Sequence, residues 1–383
     1  MIRKARAGLW SAIFSIAIMA STATVAEPIY RVSGPVGHDN LAIYFIHGNN
    51  HNSLAPLTLS EALADGTVKI HETGNVTELA IENKGAEPVF VQSGDVVRGG
   101  KQDRVLTVSL LLPANSGRVP IASYCVEQGR WTKRGKESVH YFTSSTNAMP
   151  SKRAKLAMKL VPPQETGRLA SGGMPQAQLQ ALTSNRIATV DTRQNDTSHP
   201  VAAASQPPPL SRNTQSVVWE SVAATQQQLS ENLRTRVEAT GSRSSLALSL
   251  ENPHLKQAIA AYVQKLEPAA DAHDDILGYA FAINGRINSA DIYPSHGLFK
   301  KMWPKLLRAS VTEAISEKTE DKIAHSPKPD DILEFLKEAE TGKPSTRPIN
   351  NGAVLQINTS EMSYLFATKL KDGNWIHRNY IAQ

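Results

Sequence analysis

The sequence predicts an α+β protein: a β-rich, sandwich- or barrel-like N-terminal half, with a helical and β-hairpin second half packed on it. Three observations carry that prediction. Short apolar or alternating runs, separated by Gly, Pro and Asn, fill the stretch from Ile29 to Phe142. Asn284-Gly285 stands between two strand-like runs, which is the strongest short-range hairpin signal. Apolar residues at helical spacing dominate the segments on either side of that hairpin.

The first 26 residues are predicted to lie outside the fold. Arg3, Lys4 and Arg6 form a basic start, Leu9 to Ala20 is mainly apolar, and Thr24-Val25-Ala26 offers small residues for cleavage after Ala26. The apolar core is short for a span of ~30 Å of hydrocarbon. The expectation is a secretory leader, a periplasmic or secreted protein, and membrane contact only through the leader before cleavage. Removing its three bases and no acids lowers the formal charge from +6 to +3. A nucleic-acid binder carries a stronger basic footprint, so no nucleic-acid partner is expected. Cys125 is the only cysteine, which excludes an intramolecular disulfide.

Residues 27–145 read mostly as strands. Leu41 to Ile46 is a continuous apolar run of strand length. Leu57 to Asp65 suits a short helix capped by Thr58 or Ser60. Val68 to Glu72 alternates. Glu78–Asn83 and Pro88–Val91 suggest a pair of strands joined through Lys84 to Glu87. Val105 to Leu112 reads as one β-branched and apolar strand, closed by Pro113, and Val119 to Val126 as the next.

Composition changes near Thr143. Residues 146–215 form a Ser-, Gln- and Pro-rich insertion with a short helix at Lys152 to Leu160. From Gly167 to Ser211 little could build a core, and a flexible linker is expected. Residues 216–320 return to order. A helix runs from Val217 to Leu233, and Asn252-Pro253 starts another through Leu266. The hairpin of Ile276–Ile283 and Arg286–Tyr293 follows. Ser295 caps a helix, with Pro304 starting or kinking the next helical run. Residues 321–383 read as a helix from Asp330 to Glu338 and two or three strands turning at Lys371 to Asn374.

The candidate site is the stretch from Gln92 to Trp131. Residues 91–136 hold eight bases and three acids, a local excess of +5 beside two glycines. Gly99 and Gly100 allow close backbone approach, and Lys101, Gln102 and Arg104 add donors, so the loop suits a small anion. It matches neither common phosphate-loop pattern. The second turn, Cys125 to Trp131, brings Glu127, Gln128, Arg130 and Trp131. Glu127 is the candidate acid/base if the ligand is hydrolysed. A structural reading stands beside it, with a packed cysteine and Glu127 paired to Arg130 or Arg104. A third makes Cys125 a thiol nucleophile. His47 and His51 have i, i+4 spacing, but Gly48-Asn49-Asn50 is a poor helix, so no metal site is expected. No motif names a cofactor.

The runs GGKQDRVL (Gly99 to Leu106) and CVEQGRW (Cys125 to Trp131) resemble the ARPP-1 family. The segment Gly278 to Ala309 resembles that family's second half. The resemblance covers roughly Tyr30 to Ile315, without the linker and the C-terminal tail. It implies one domain in which the two turns, Asp103 included, and the hairpin converge. The family's name implies a link to ADP-ribose or phosphate chemistry and assigns no catalytic residue.

Overall fold

A computed structural model describes residues 30–50, 55–160, 209–319 and 325–383. The leader, His51 and most of the Gly167–Ser211 linker lie outside the described residues. Among those described, no helix is long and apolar enough to cross a membrane.

The architecture is α+β, with a closed six-stranded barrel beside a large antiparallel sheet. The first two strands, β1 (Arg31–His38) and β2 (Leu41–His47), do not enter the barrel. β1 pairs with β2, and β2 pairs with β12 (Ile276–Ile283), the first strand of the hairpin completed by β13 (Arg286–Ile292). Beyond β13 come β17 (Trp375–Ala382), β16 (Ser363–Lys369), β15 (Val354–Thr359) and β14 (Lys343–Pro348). The unbroken apolar run of β2 is explained by burial on both faces. Leu41, Ile43 and Phe45 join one core cluster, while Ala42, Tyr44 and Ile46 join another. The hairpin turn places Asn284 and Gly285 at φ 50° and 74°, the conformation that this dipeptide tolerates.

The barrel runs β10 (Gly117–Cys125), β5 (Glu78–Asn83), β4 (Val68–Glu72), β11 (Tyr141–Ala148), β7 (Asp95–Gly99) and β8 (Arg104–Leu106). A small third sheet holds β3 (Leu57–Thr58), β6 (Val89–Val91) and β9 (Leu110–Leu112). Helix α1 (Leu59–Ala64) has Thr58 as its cap, with Glu61 completing a capping box.

Three local expectations need correction. The two strands expected to pair through Lys84–Glu87 lie in different sheets: β5 pairs β4 and β10, and β6 pairs β3 and β9. The run Val105 to Leu112 is two strands: β8 pairs with β7 and β10 in the barrel, whereas β9 pairs with β6 in the third sheet. Pro304 starts no new helix, since it lies inside the continuous helix His296–Ser316.

The second half packs on this frame through α2 (Lys152–Leu160), α3 (Pro209–Asn232), α4 (Leu246–Leu250), α5 (Pro253–Leu266) and α6 (His296–Ser316). Asn252 caps α5, with Pro253 at its first position. Helix α7 (Pro329–Thr341) covers the sheet's other face with Ile332, Phe335 and Leu336.

Candidate functional site

The two turns marked by the sequence do meet. Gly99, at φ 123°, packs against the next strand so closely that a Cβ would stand 2.8 Å from the Tyr141 carbonyl oxygen. At Gly100 (φ 55°) a Cβ would stand 2.4 Å from Phe142 Cζ and 2.9 Å from Glu72 Oε2. The glycines are therefore required by the chain's own packing.

The amides of this loop are occupied. Gly99 N–H donates to Asp103 Oδ1 (3.0 Å), Lys101 N–H to Glu72 Oε2 (3.0 Å) and Asp103 N–H to Glu127 Oε2 (3.0 Å). Gly100 N–H donates to the Tyr141 carbonyl at 3.2 Å. The anions this loop holds are the protein's own carboxylates.

The arginines complete the pairing. Arg134 forks onto Asp103, with Nη1 to Oδ2 and Nη2 to Oδ1 both at 2.9 Å, and reaches Glu127 Oε1 at 3.0 Å. Arg130 pairs with Glu127 Oε2 at 2.7 Å and donates to the Gly99, Gly100 and Thr132 carbonyls. Ser245, the cap of α4, donates to Asp103 Oδ2 at 2.6 Å. Asp103 and Glu127 are wholly buried. Arg134 and Arg98 also share Glu137, and Arg98 bridges to Glu251 on the far side. Burial opposes the charge of Arg134, but its carboxylates outweigh that and hold the guanidinium above its usual pKa.

Arg104 is fully buried and donates to Cys125 Sγ and to the Val76 carbonyl. Its Nη2 is 3.5 Å from Glu72 Oε1. Trp131, 41% exposed, lies over this end of the cluster, with Lys101 Nζ 5.1 Å and Arg104 Cζ 5.7 Å from its ring centre. Gln102 is buried, and Gln128 is exposed, its carbonyl held by Ser244. Burial pushes the Cys125 thiol up to about 11, against the pull of Arg104, so it is protonated at neutral pH. The fold thus brings together Gly99, Gly100, Lys101, Asp103, Arg104, Glu127, Arg130 and Trp131, and leaves Gln128 on the surface.

Sequence reasoning missed a neighbouring cleft of about 400 Å³. Its walls come from β11, α5, α6 and the end of α4, and Glu251 forms part of its rim. One wall is apolar, built from Ile259, Ala260, Val263 and Ala309. Lys256, Lys305 and Arg308 also line it. Lys305 is committed to the buried Asp95, whose carboxyl burial pushes up. Among the described residues, Lys256 and Arg308 form no ion pair and are exposed. Helical spacing gave a hint, since Arg308 and Thr312 share one face of α6, but their convergence with α5 needed the fold.

A family model, the ARG and Rhodanese-Phosphatase-superfamily-associated Protein domain, matches residues 29–381. The chain belongs to the ARPP-1 family. The match runs past Ile315, so the linker and C-terminal tail fall within the ARPP-1 domain, contrary to the shorter extent expected from the motifs. The structure gives the reason: β15, β16 and β17 belong to the same sheet as the hairpin. No curated protein and no solved structure matches the chain. Among the described residues, no group of three His, Cys, Asp or Glu side chains could hold a metal ion.

Proposed function

We propose that this ARPP-1 domain is a secreted or periplasmic binding protein for a small anion with an apolar portion, held in the cleft between β11, α5 and α6. The observation that carries this reading is a pair of exposed cations, Lys256 and Arg308, without an ion pair among the described residues, beside an apolar wall in a cleft of about 400 Å³. That volume falls within the usual range for small-ligand sites, which combine apolar walls with a few polar groups. The motifs' family name makes ADP-ribose and sugar phosphates the first anions to try. The cleft replaces the Gly99–Trp131 turns as the preferred anion site, because the arginines and loop amides of the turns already face carboxylates and carbonyls of the chain. Glu127, fully buried and held by two arginines, has no free lone pair directed at a substrate, which favours binding over hydrolysis there. The leader-like first 26 residues support the location.

The test is thermal unfolding of the purified protein with ADP-ribose, nucleotides, sugar phosphates and dicarboxylates, alongside Lys256→Glu and Arg308→Glu. A ligand at a hundred times its Kd stabilises the native state by about 2.7 kcal/mol. One ligand class should raise the Tm of the parent and not of either variant. No shift with any ligand, or a shift kept in both variants, removes the cleft as the site. Fractionation of cells making the full chain tests the location, with a processed N-terminus at Glu27 expected.

A further inference from the structure

The edge strand β1 carries a second arrangement that the cleft does not use. Its register against β2 shifts between Ser33 and Val36, a bulge of the kind that re-aims side chains. Ser33 and His47 lie on the same side of this strand pair, and Ser33 Oγ stands 2.8 Å from His47 Nε2. The other ring nitrogen, Nδ1, stands 2.7 Å from Asp275 Oδ1 at the start of the hairpin. Arg31 Nη2 donates to Asp275 Oδ2 at 3.0 Å and fixes the carboxylate.

The protonation follows from these contacts. Partial burial pushes the Asp275 carboxyl up, but the bond to His47 and then Arg31 outweigh it and leave its pKa below the usual value. Asp275 is therefore ionised at neutral pH and can only accept, so Nδ1 carries the ring proton. In the neutral ring Nε2 is then the acceptor, and it faces the Ser33 hydroxyl at 2.8 Å. His47 is buried, and Ser33 is half-buried on β1, the strand that ends its sheet.

We propose that Ser33 is a nucleophile, with His47 as its general base and Asp275 as the positioning residue, and that this sheet edge hydrolyses small carboxylic esters. Ser33 Oγ attacks the acyl carbon as its proton passes to His47 Nε2. The bond from acyl carbon to alkoxy oxygen breaks, and that proton goes to the leaving alkoxide to give the alcohol. Water then attacks the acyl-serine, giving its proton to Nε2, and Ser33 recovers it as the carboxylic acid leaves.

A buried counterpart provides the internal control. Ser109 Oγ is 2.9 Å from His377 Nδ1, and His377 Nε2 is 3.0 Å from Asp291 Oδ1. All three residues are buried where β9 meets β13 and β17. The Ser109 hydroxyl also accepts from Ser93 N–H at 3.0 Å. The adjoining void is about 10 Å³, room for one water and not for an acyl group.

The experiment is labelling of the purified protein with a fluorophosphonate, read by peptide mass spectrometry. Attack by Oγ forms an O–P bond, expels fluoride and leaves the proton on His47. The expected adduct is on Ser33 and not on Ser109. It should be absent in Ser33→Ala, whose half-buried side chain allows an unchanged Tm. In Asp275→Asn the labelling rate should fall about a hundredfold or more, because the ring loses the tautomer that accepts from serine. Hydrolysis of p-nitrophenyl acetate should follow the same order. A folded parent without a Ser33 adduct, an adduct on Ser109 instead, or equal rates in the parent and Asp275→Asn would each overturn the proposal.

Discussion

The Gly99–Trp131 turns and the neighbouring cleft are joined by the Arg98–Glu251 bridge, yet they treat charge in opposite ways. In the turns, arginines face carboxylates inside the protein, and Asp103 and Glu127 are lost to solvent entirely. In the cleft, Lys256 and Arg308 face open space. A dense charge cluster in a sequence therefore says little about ligand binding until the sign of its partners is known. Buried charges demand partners within the fold, and only charges left over can recognise something outside it. The two Ser–His–Asp chains repeat the lesson. Ser109–His377–Asp291 is enclosed between sheets, whereas Ser33–His47–Asp275 opens at an edge.

The largest expected effect is at the centre of the turns. Glu127→Gln leaves Arg130 and Arg134 facing a neutral amide in a dry setting. Removing one partner of a buried pair costs about 3–5 kcal/mol. Urea denaturation should show that loss, while any ligand shift seen in the parent persists at temperatures where the variant is folded. A loss below about 1 kcal/mol would mean the network is not a structural unit, and the contrast with the cleft would collapse.

Gly100→Ala comes next. The added methyl meets Phe142 and Glu72 at a φ that L-residues disfavour. Strain of this kind costs about 1–3 kcal/mol. The same denaturation experiment reads it, and a neutral result would show that the loop is free to move and so could still admit a ligand.

A third effect is a slope with pH, and it belongs to the enclosed chain. Burial drives the Lys159 amine down to about 7 from its ordinary 10.5, against the pull of Asp291. Between those values the unfolded chain holds a proton that the native protein lacks, so stability rises with pH across the window and falls as pH drops toward 7. Lys159→Met should flatten that rise in unfolding midpoints measured from pH 7 to 10. An unchanged slope would show that Lys159 keeps its proton in the fold, through water reaching the Ser109 chain.

Much of the fold was legible in local signals. Asn284-Gly285, the Thr58 and Asn252 caps and the tail strands follow from turn chemistry and spacing within a few residues. What failed was pairing over distance. Nothing near Leu41 announces that β2 will lie beside β12, and nothing near Glu78 says that β5 will choose β10 over β6. The candidate site divides in the same way. Gly99, Arg104, Glu127 and Arg130 were visible as a cluster because they lie close in sequence. Their partners Glu72, Glu137, Ser245 and Glu251 come from elsewhere, and those partners convert an anion site into a closed network. Lys256 and Arg308 look like ordinary solvated helix charges until α5 and α6 converge.

The smallest effect gives the sharpest comparison. Trp131 is the one residue of the turns that is both large and exposed, and its ring covers the Lys101 and Arg104 cations. Arg104 Nε and Nη2 are buried and make no hydrogen bond among the described residues, so the ring is part of what compensates them. An exposed cation–π contact contributes about 0.5–1 kcal/mol. Trp131→Ala should therefore lower stability by that amount and leave the ligand shift untouched, because the ring lies over the cations of the turns and does not line the cleft. Titrating each anion of the panel against tryptophan fluorescence, in the parent and in Trp131→Ala, separates the two regions directly. If the variant loses the ligand response that Arg308→Glu was expected to lose, the exposed ring is a ligand platform, and the turns, not the cleft, do the binding.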